Sequence, residues 1–187
     1  MTRGDTLFPF LLFAAGPARF FRLFFLLLPT LAGYKLGTIE NNIAKEKVFT
    51  RFFSGTGIDS IQKIACQFST QKLPGLIRPD AMSRFQWHKQ QGHRCVLISA
   101  SLDIYLQPWA QSIGFDDVLS SSLETTQDGQ VSGKLSGANC FGPEKSRRLE
   151  ALLGDRSGYE LYAYGDSTGD KELLSMADYA YYREMPE

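Results

Sequence analysis

The sequence predicts an α/β protein built on a doubly wound parallel sheet, with a helical segment ahead of it. Three observations carry this. Short apolar runs and helical stretches alternate after Pro79, which implies strands joined by helical crossovers. No strand-like alternation appears before Pro79. The length, 187 residues, suits one domain or one core with an inserted subdomain.

The helical part comes first. Leu7 to Ala18 and Leu23 to Tyr34 are uncharged stretches separated by Arg19 and Arg22. Pro17 suits a first helical turn, and Pro29 is expected to end or kink the helix it sits in. Thr38 is positioned to cap a helix running to about Phe53, where Gly55 and Gly57 break the pattern. Ile58, Ile61, Ala65 and Phe68 then share one helical face.

From Pro79 the alternation begins. Pro79 opens a helix that stops at Gly92. Cys95 to Ile98 reads as a buried parallel strand, with Cys95 as apolar filler. A helix runs from Asp103 to Ile113 and stops at Gly114. Val118 to Leu123 is a strand, and Asp128-Gly129 is a hairpin turn from which the segment around Lys134 returns. Pro143 starts a helix ending near Gly154. Leu161 to Tyr164 is a strand, Gly169 to Ala177 a helix and Tyr179 to Tyr182 a last strand.

Composition excludes some functions. Twenty basic and twenty acidic residues give a formal charge of zero with no long run of one sign, so nothing points to nucleic acid. The odd cysteine count (Cys66, Cys95, Cys140), without metal-ligand spacing, indicates a reducing compartment, hence a cytoplasmic protein. His88 and His93 flank a helix end with no cysteine or acid beside them to build a zinc site, so packing or surface roles are expected. The apolar N-terminus is shorter than the ~18 residues of a spanning helix and lacks the layout of a secretory signal. Two readings stay open for it: core or cap helices, or a hairpin lying in a membrane interface over residues 7–36, with Arg19 and Arg22 at headgroup level.

Three segments carry chemistry. Asp166 and Asp170 directly follow a strand, and Gly165 and Gly169 allow tight backbone between them. Carboxylates four residues apart at a helix start can face one point, which suits a hard cation such as Mg²⁺. Ser99 ends its strand, and the small Ala100 and Ser101 come next before a helix, an arrangement that favours an anion. Lys145 lies in the first turn of the helix opened by Pro143, where a cation opposes the helix dipole unless phosphate or aspartate accompanies it. Each segment alone also fits a capping or surface role.

In order and spacing, the three together resemble the second, third and fourth motifs of the haloacid dehalogenase superfamily, closest to its phosphoserine-phosphatase-like branch, subfamily IB. The matching stretches are Gly92 to Ser101, Gly142-Pro143-Glu144-Lys145 and Tyr164 to Leu174. The resemblance implies an α/β core of residues 1–6 and 79–187, with residues 7–78 as a helical cap. It implies a Mg²⁺-dependent phosphomonoester hydrolase acting through an aspartyl-phosphate. Ser99, Ala100, Ser101 and Lys145 would hold the phosphoryl group. Asp166 would ligate Mg²⁺, while Asp170 would act through a water or support Lys145. The substrate would be a small phosphorylated metabolite or a lipid phosphate, the latter with the protein on the inner face of the membrane. The pattern departs from the branch at Gly169, where asparagine is usual, and at Ser101, which replaces a glycine.

The superfamily's first motif, DxDxT, supplies the attacking aspartate and the general acid, and it does not occur in the 187 residues. Met1 to Thr6 resembles the family's stretch immediately C-terminal to that motif. Asp5 then matches a substrate-contacting acid, although it reads equally well as a terminal residue or helix cap. The expectations are therefore a truncated start with the sheet's first strand lacking or, as the alternative, a catalytically inactive phosphate-binding or scaffold relative.

Overall fold

The computed structural model describes residues 1–2 and 4–186. The chain opens with helices α1 (Leu7–Ala15), α2 (Pro17–Lys35), α3 (Asn41–Phe53), α4 (Ile58–Gln71) and α5 (Leu73–Leu76). Next come α6 (Pro79–Gln90), β1 (Val96–Leu102), α7 (Asp103–Ile113), β2 (Asp117–Ser121), β3 (Leu123–Thr125), β4 (Val131–Leu135) and α8 (Pro143–Leu153). β5 (Tyr162–Gly165), α9 (Lys171–Ser175) and β6 (Tyr179–Tyr182) complete the chain. The α/β architecture matches the sequence reading, with differences that have local causes.

Gly16 adopts φ 71° and divides the first apolar stretch into α1 and α2. Pro29 does not end α2, which runs on to Lys35. Its ring lies on the exposed side, so the Phe25 carbonyl that it leaves without a helical partner opens to water. Thr38 does not cap α3. That helix starts at Asn41, and the Thr38 hydroxyl donates instead to the Gly33 carbonyl at 3.0 Å. Cys95 is only half-buried and precedes β1, its N–H donating to the Asp116 carboxylate at 2.7 Å. Gly114 closes α7 in the left-handed region (φ 95°) that glycine tolerates best.

One apolar core runs from α1–α5 into β1, α7 and the β3–β4 hairpin. Phe10, Phe49, Phe68 and Ile61 meet Leu102, Tyr105, Leu106 and Val131 within it. Rings of Phe10, Phe68 and Tyr105 pack with centroids 4.8–5.3 Å apart. The antiparallel hairpin approaches α3 so closely that a Cβ on Gly133 would meet Thr50 Cα at 2.6 Å. A second apolar cluster, with Leu149, Ala163 and Leu173 buried, gathers α8 and α9 on the strands.

The parallel strands form two ladders. β1 pairs with β2, and β5 pairs with β6 in continuous register from Tyr162↔Tyr179 to Gly165↔Tyr182. Among the described residues no ladder joins β1 to β5. A cavity of about 1170 Å³ is lined by Val96–Ser101 of β1, by Tyr162–Gly165 of β5 and by side chains from α2, α3, α6 and α8. The apolar Val96, Leu97 and Ile98 stay only half-buried, as residues facing such a space must.

Candidate active site

The cavity's polar end gathers the residues that the sequence singled out. Ser99, Ala100, Ser101, Lys145, Asp166, Asp170 and Asp5 all line it, joined by Lys45.

β1 extends further than the sequence indicates, through Ser99–Ser101 to Leu102. Its register against β2 slips there: Ile98 pairs with Leu119 and Leu102 with Ser121, so β1 carries extra residues opposite its partner. The bulge turns the Ser101 N–H onto Ser99 Oγ at 3.1 Å. Ser99 thereby accepts a bond, and its own hydroxyl proton has no acceptor among the described residues. Ser101 has a different job. Its hydroxyl shares a hydrogen bond with Thr6 Oγ1 at 2.9 Å, and Thr6 in turn meets the buried Tyr105 hydroxyl at 3.0 Å. Burial pushes that phenol up to about 12.

Lys145 is buried, not a surface lysine. Gly142 (φ 59°) and Pro143 start α8 so that the Lys145 side chain turns inward. Its ammonium donates to Asp170 Oδ1 at 2.5 Å. The other oxygen of Asp170 accepts from Ser167 Oγ at 2.7 Å, Ser167 N–H at 3.0 Å and Asp166 N–H at 3.2 Å. Burial alone would raise the Asp170 carboxyl; the Lys145 charge and these donors outweigh it and hold it below the usual carboxylate range.

The four-residue spacing thus gives the two aspartates different settings. Asp170 is buried with both oxygens engaged by the protein, whereas Asp166 is exposed and its carboxylate has no hydrogen-bond partner among the described residues. The packing requires the glycine that precedes each of them. A Cβ on Gly165 would lie 2.5 Å from Asp170 Cβ, and one on Gly169 would lie 2.4 Å from the Phe141 ring. The Gly142 N–H also donates to the Gly169 carbonyl at 3.1 Å, tying the lysine loop to the aspartate loop.

Asp5 accepts from the Leu7 N–H at 2.7 Å, so it does serve a helix start while also lining the cavity. Lys45 went unnoticed in the sequence. Its ammonium donates to the Ala100 carbonyl at 2.6 Å and to Asn139 Oδ1 at 3.0 Å. Burial is the main influence on it and, partly opposed by Asp5, brings the ammonium down to about 8. A signal for it exists: Lys45 shares the i, i+3, i+4, i+7 stripe with Val48, Phe49 and Phe52, an apolar face where lysine is out of place.

The polar end of the cavity, between strand ends, thus holds a serine hydroxyl, two lysines and one uncommitted carboxylate. The family pattern of haloacid dehalogenase-like hydrolases matches residues 1–175. The chain belongs to that family. It is 32% identical over 183 residues to protein CicA of Caulobacter vibrioides, covering 98% of this chain and 81% of CicA. A protein of unknown function from Bordetella pertussis superposes with a TM-score of 0.77 at 22% identity, over 93% of this chain and 81% of that one. A substrate-bound phosphoserine phosphatase superposes with a TM-score of 0.65 at 18% identity, over 94% and 77%. The haloacid dehalogenase core explains why the residues converge: such sheets bind ligands at the carboxyl ends of their strands, and the site sits at the ends of β1 and β5.

Proposed function

We propose that the chain forms the phosphate- and cation-holding site of a Mg²⁺-dependent phosphomonoester hydrolase. The observation that carries this is the arrangement of Ser99, Lys145 and Asp166 around one pocket, with Asp170 fixing the lysine. Ser99 donates its hydroxyl proton to a phosphoryl oxygen. Lys145 has further N–H donors beyond the one given to Asp170 and neutralises the phosphoryl charge. Lys45 adds a second cation from the α3 side. The donor set fits Mg²⁺, which is commonly held by one or two carboxylates with waters and phosphate oxygens. Asp166 would hold it directly, and Asp170 is too committed to do so. When bound, the ion supplies further charge neutralisation at the phosphoryl group.

Substrates of two classes fit the cavity: a small phosphorylated metabolite, or a lipid phosphate accepted along the apolar side chains of Leu7, Phe8 and Leu31 that line it. The attacking aspartate of the family's chemistry has no DxDxT counterpart within these 187 residues. Such a carboxylate would enter on a strand between β1 and β5. The three free cysteines suit a reducing compartment such as the cytoplasm.

The test compares the 187-residue chain with the same chain carrying an Asp-x-Asp-x-Thr strand fused ahead of Met1. Both should bind inorganic phosphate more tightly with Mg²⁺, and only the fused form should hydrolyse an aryl phosphate. Equal turnover by both would overturn the assignment of the nucleophile. Phosphate binding without turnover in either would favour a non-catalytic relative. Loss of phosphate binding would sink the phosphatase reading.

A further inference from the structure

The outer face of α2 does not serve the site just described. Phe21, Phe25 and Leu28 are 53%, 64% and 42% exposed, Leu26 is exposed on the far side of Arg22, and Leu36 lies at the helix end, 78% exposed. At about 100° per residue, Phe21, Phe25, Leu28 and Ala32 fall within a single sector of roughly 60°. The opposite face, with Phe20, Leu23 and Leu27, is buried in the core. An amphipathic helix needs one apolar face, and α2 has two.

Charge distinguishes the second face. From Thr6 to Ile39 the chain has no aspartate or glutamate, and its only charged residues are Arg19, Arg22 and Lys35. Arg22 and Lys35 are exposed, and neither forms a salt bridge among the described residues. On the helix they flank the aromatic row about 60–80° to either side. Cations bordering an apolar, aromatic stripe match the layering of an anionic bilayer surface, where acyl chains lie below a plane of negative headgroups. A second copy of this face would bring Arg22 and Lys35 against like charges, with no acid between Thr6 and Ile39 to neutralise them. No helix among the described residues is long and apolar enough to cross a membrane, so contact would be lateral.

We propose that this face of α2 seats the protein on anionic membrane surfaces, with Phe21, Phe25 and Leu28 entering the acyl boundary and Arg22 and Lys35 meeting the headgroups. This goes beyond the phosphatase reading and does not depend on it.

The experiment is flotation of the full chain with vesicles of phosphatidylcholine alone or with about a third phosphatidylglycerol. Expected is binding at least tenfold stronger to the anionic vesicles, reduced tenfold or more in F21S/F25S and severalfold in R22Q/K35Q. The substituted side chains are exposed, and an unchanged circular dichroism melt confirms that each variant folds. Equal binding to both vesicle types would overturn the electrostatic part, and no binding would overturn the whole. A concentration-dependent dimer in sedimentation, lost in F21S/F25S and unaffected by vesicles, would assign the face to a second copy and refute the proposal.

Discussion

Asp170 holds the Lys145 ammonium with one carboxylate oxygen and gathers the Asp166–Ser167 turn with the other, so one side chain sets both the cation and the loop of the site. Both partners are buried. Taking the carboxylate's charge away strands an ammonium inside the protein.

Asp170→Asn should therefore cost about 3–5 kcal/mol of stability, the usual penalty for breaking a buried pair. Urea unfolding measures it. The double variant Lys145→Met/Asp170→Asn should recover much of that loss, because no uncompensated charge is then buried. A single variant within 0.5 kcal/mol of the parent protein, a shift typical of surface sites, would contradict the coupling.

Gly169 and Phe141 form a second dependency. Gly169→Asn would push a Cβ into the Phe141 ring and should cost about 1–3 kcal/mol, as overpacking does. In a Phe141→Ala background the added cost should largely disappear. A double-mutant cycle by thermal melting reads the coupling, and purely additive effects would show that the ring is not the obstacle.

Lys45 should give anion binding at the candidate site a pH limit. Burial brings its ammonium down to about 8, so sulfate, which keeps its charge over this range, should bind roughly tenfold more weakly at pH 9.5 than at pH 7, the scale of one charge-assisted hydrogen bond. Calorimetric titration of Lys45→Met should show no such step. The stability sign is opposite. With the folded value lowered from 10.5 to about 8, the unfolded chain binds more protons between those pH values, so native stability gains from this group as pH rises across that window.

His88 should make the fold sensitive to acid. Its ring shares hydrogen bonds with His93 Nδ1 at 2.8 Å and with the Tyr164 hydroxyl at 2.9 Å. Burial, then the neighbouring Arg84 and His93 charges, bring it down to about 4 from 6.5. Below pH 6.5 the unfolded chain takes up a proton that the native state refuses until about 4, so stability falls as pH drops through that range. The melting midpoint of His88→Gln should fall less steeply over it than that of the parent protein. Parallel curves would show that other groups set the acid limb.

The sequence disclosed the features that depend on close neighbours. Ser99, Lys145, Asp166 and Asp170 each sit at a strand end or helix start, and glycines mark the turns, so local spacing sufficed. Lys45, Thr6, Tyr105 and Asn139 were missed because their partners lie far along the chain: Lys45 reaches Ala100 and Asn139, and Thr6 reaches Ser101 and Tyr105. Which way a residue faces was also hidden. Pro29 is compatible with α2 only because its side of the helix meets water. Asp170 reads as a possible metal ligand until Lys145 is seen against it. The extent of β1 depends on its slipped register with β2, which no property of Ser99–Ser101 announces.

The separate ladders have one more consequence. A β-sheet ordinarily frays at its margins and holds longest in its middle, where every strand has two neighbours. Among the described residues the innermost strands, β1 and β5, each have a strand partner on one side alone, so in this 187-residue chain the backbone amides facing the cavity should exchange with solvent early although they lie deep in the molecule. Among the described residues, the two ladders meet through one apolar cluster, in which Val96, Ile98 and Leu119 pack against Leu149, Ala163 and Leu173. The first breach under stress should then open between β1 and β5, through the centre of the candidate site.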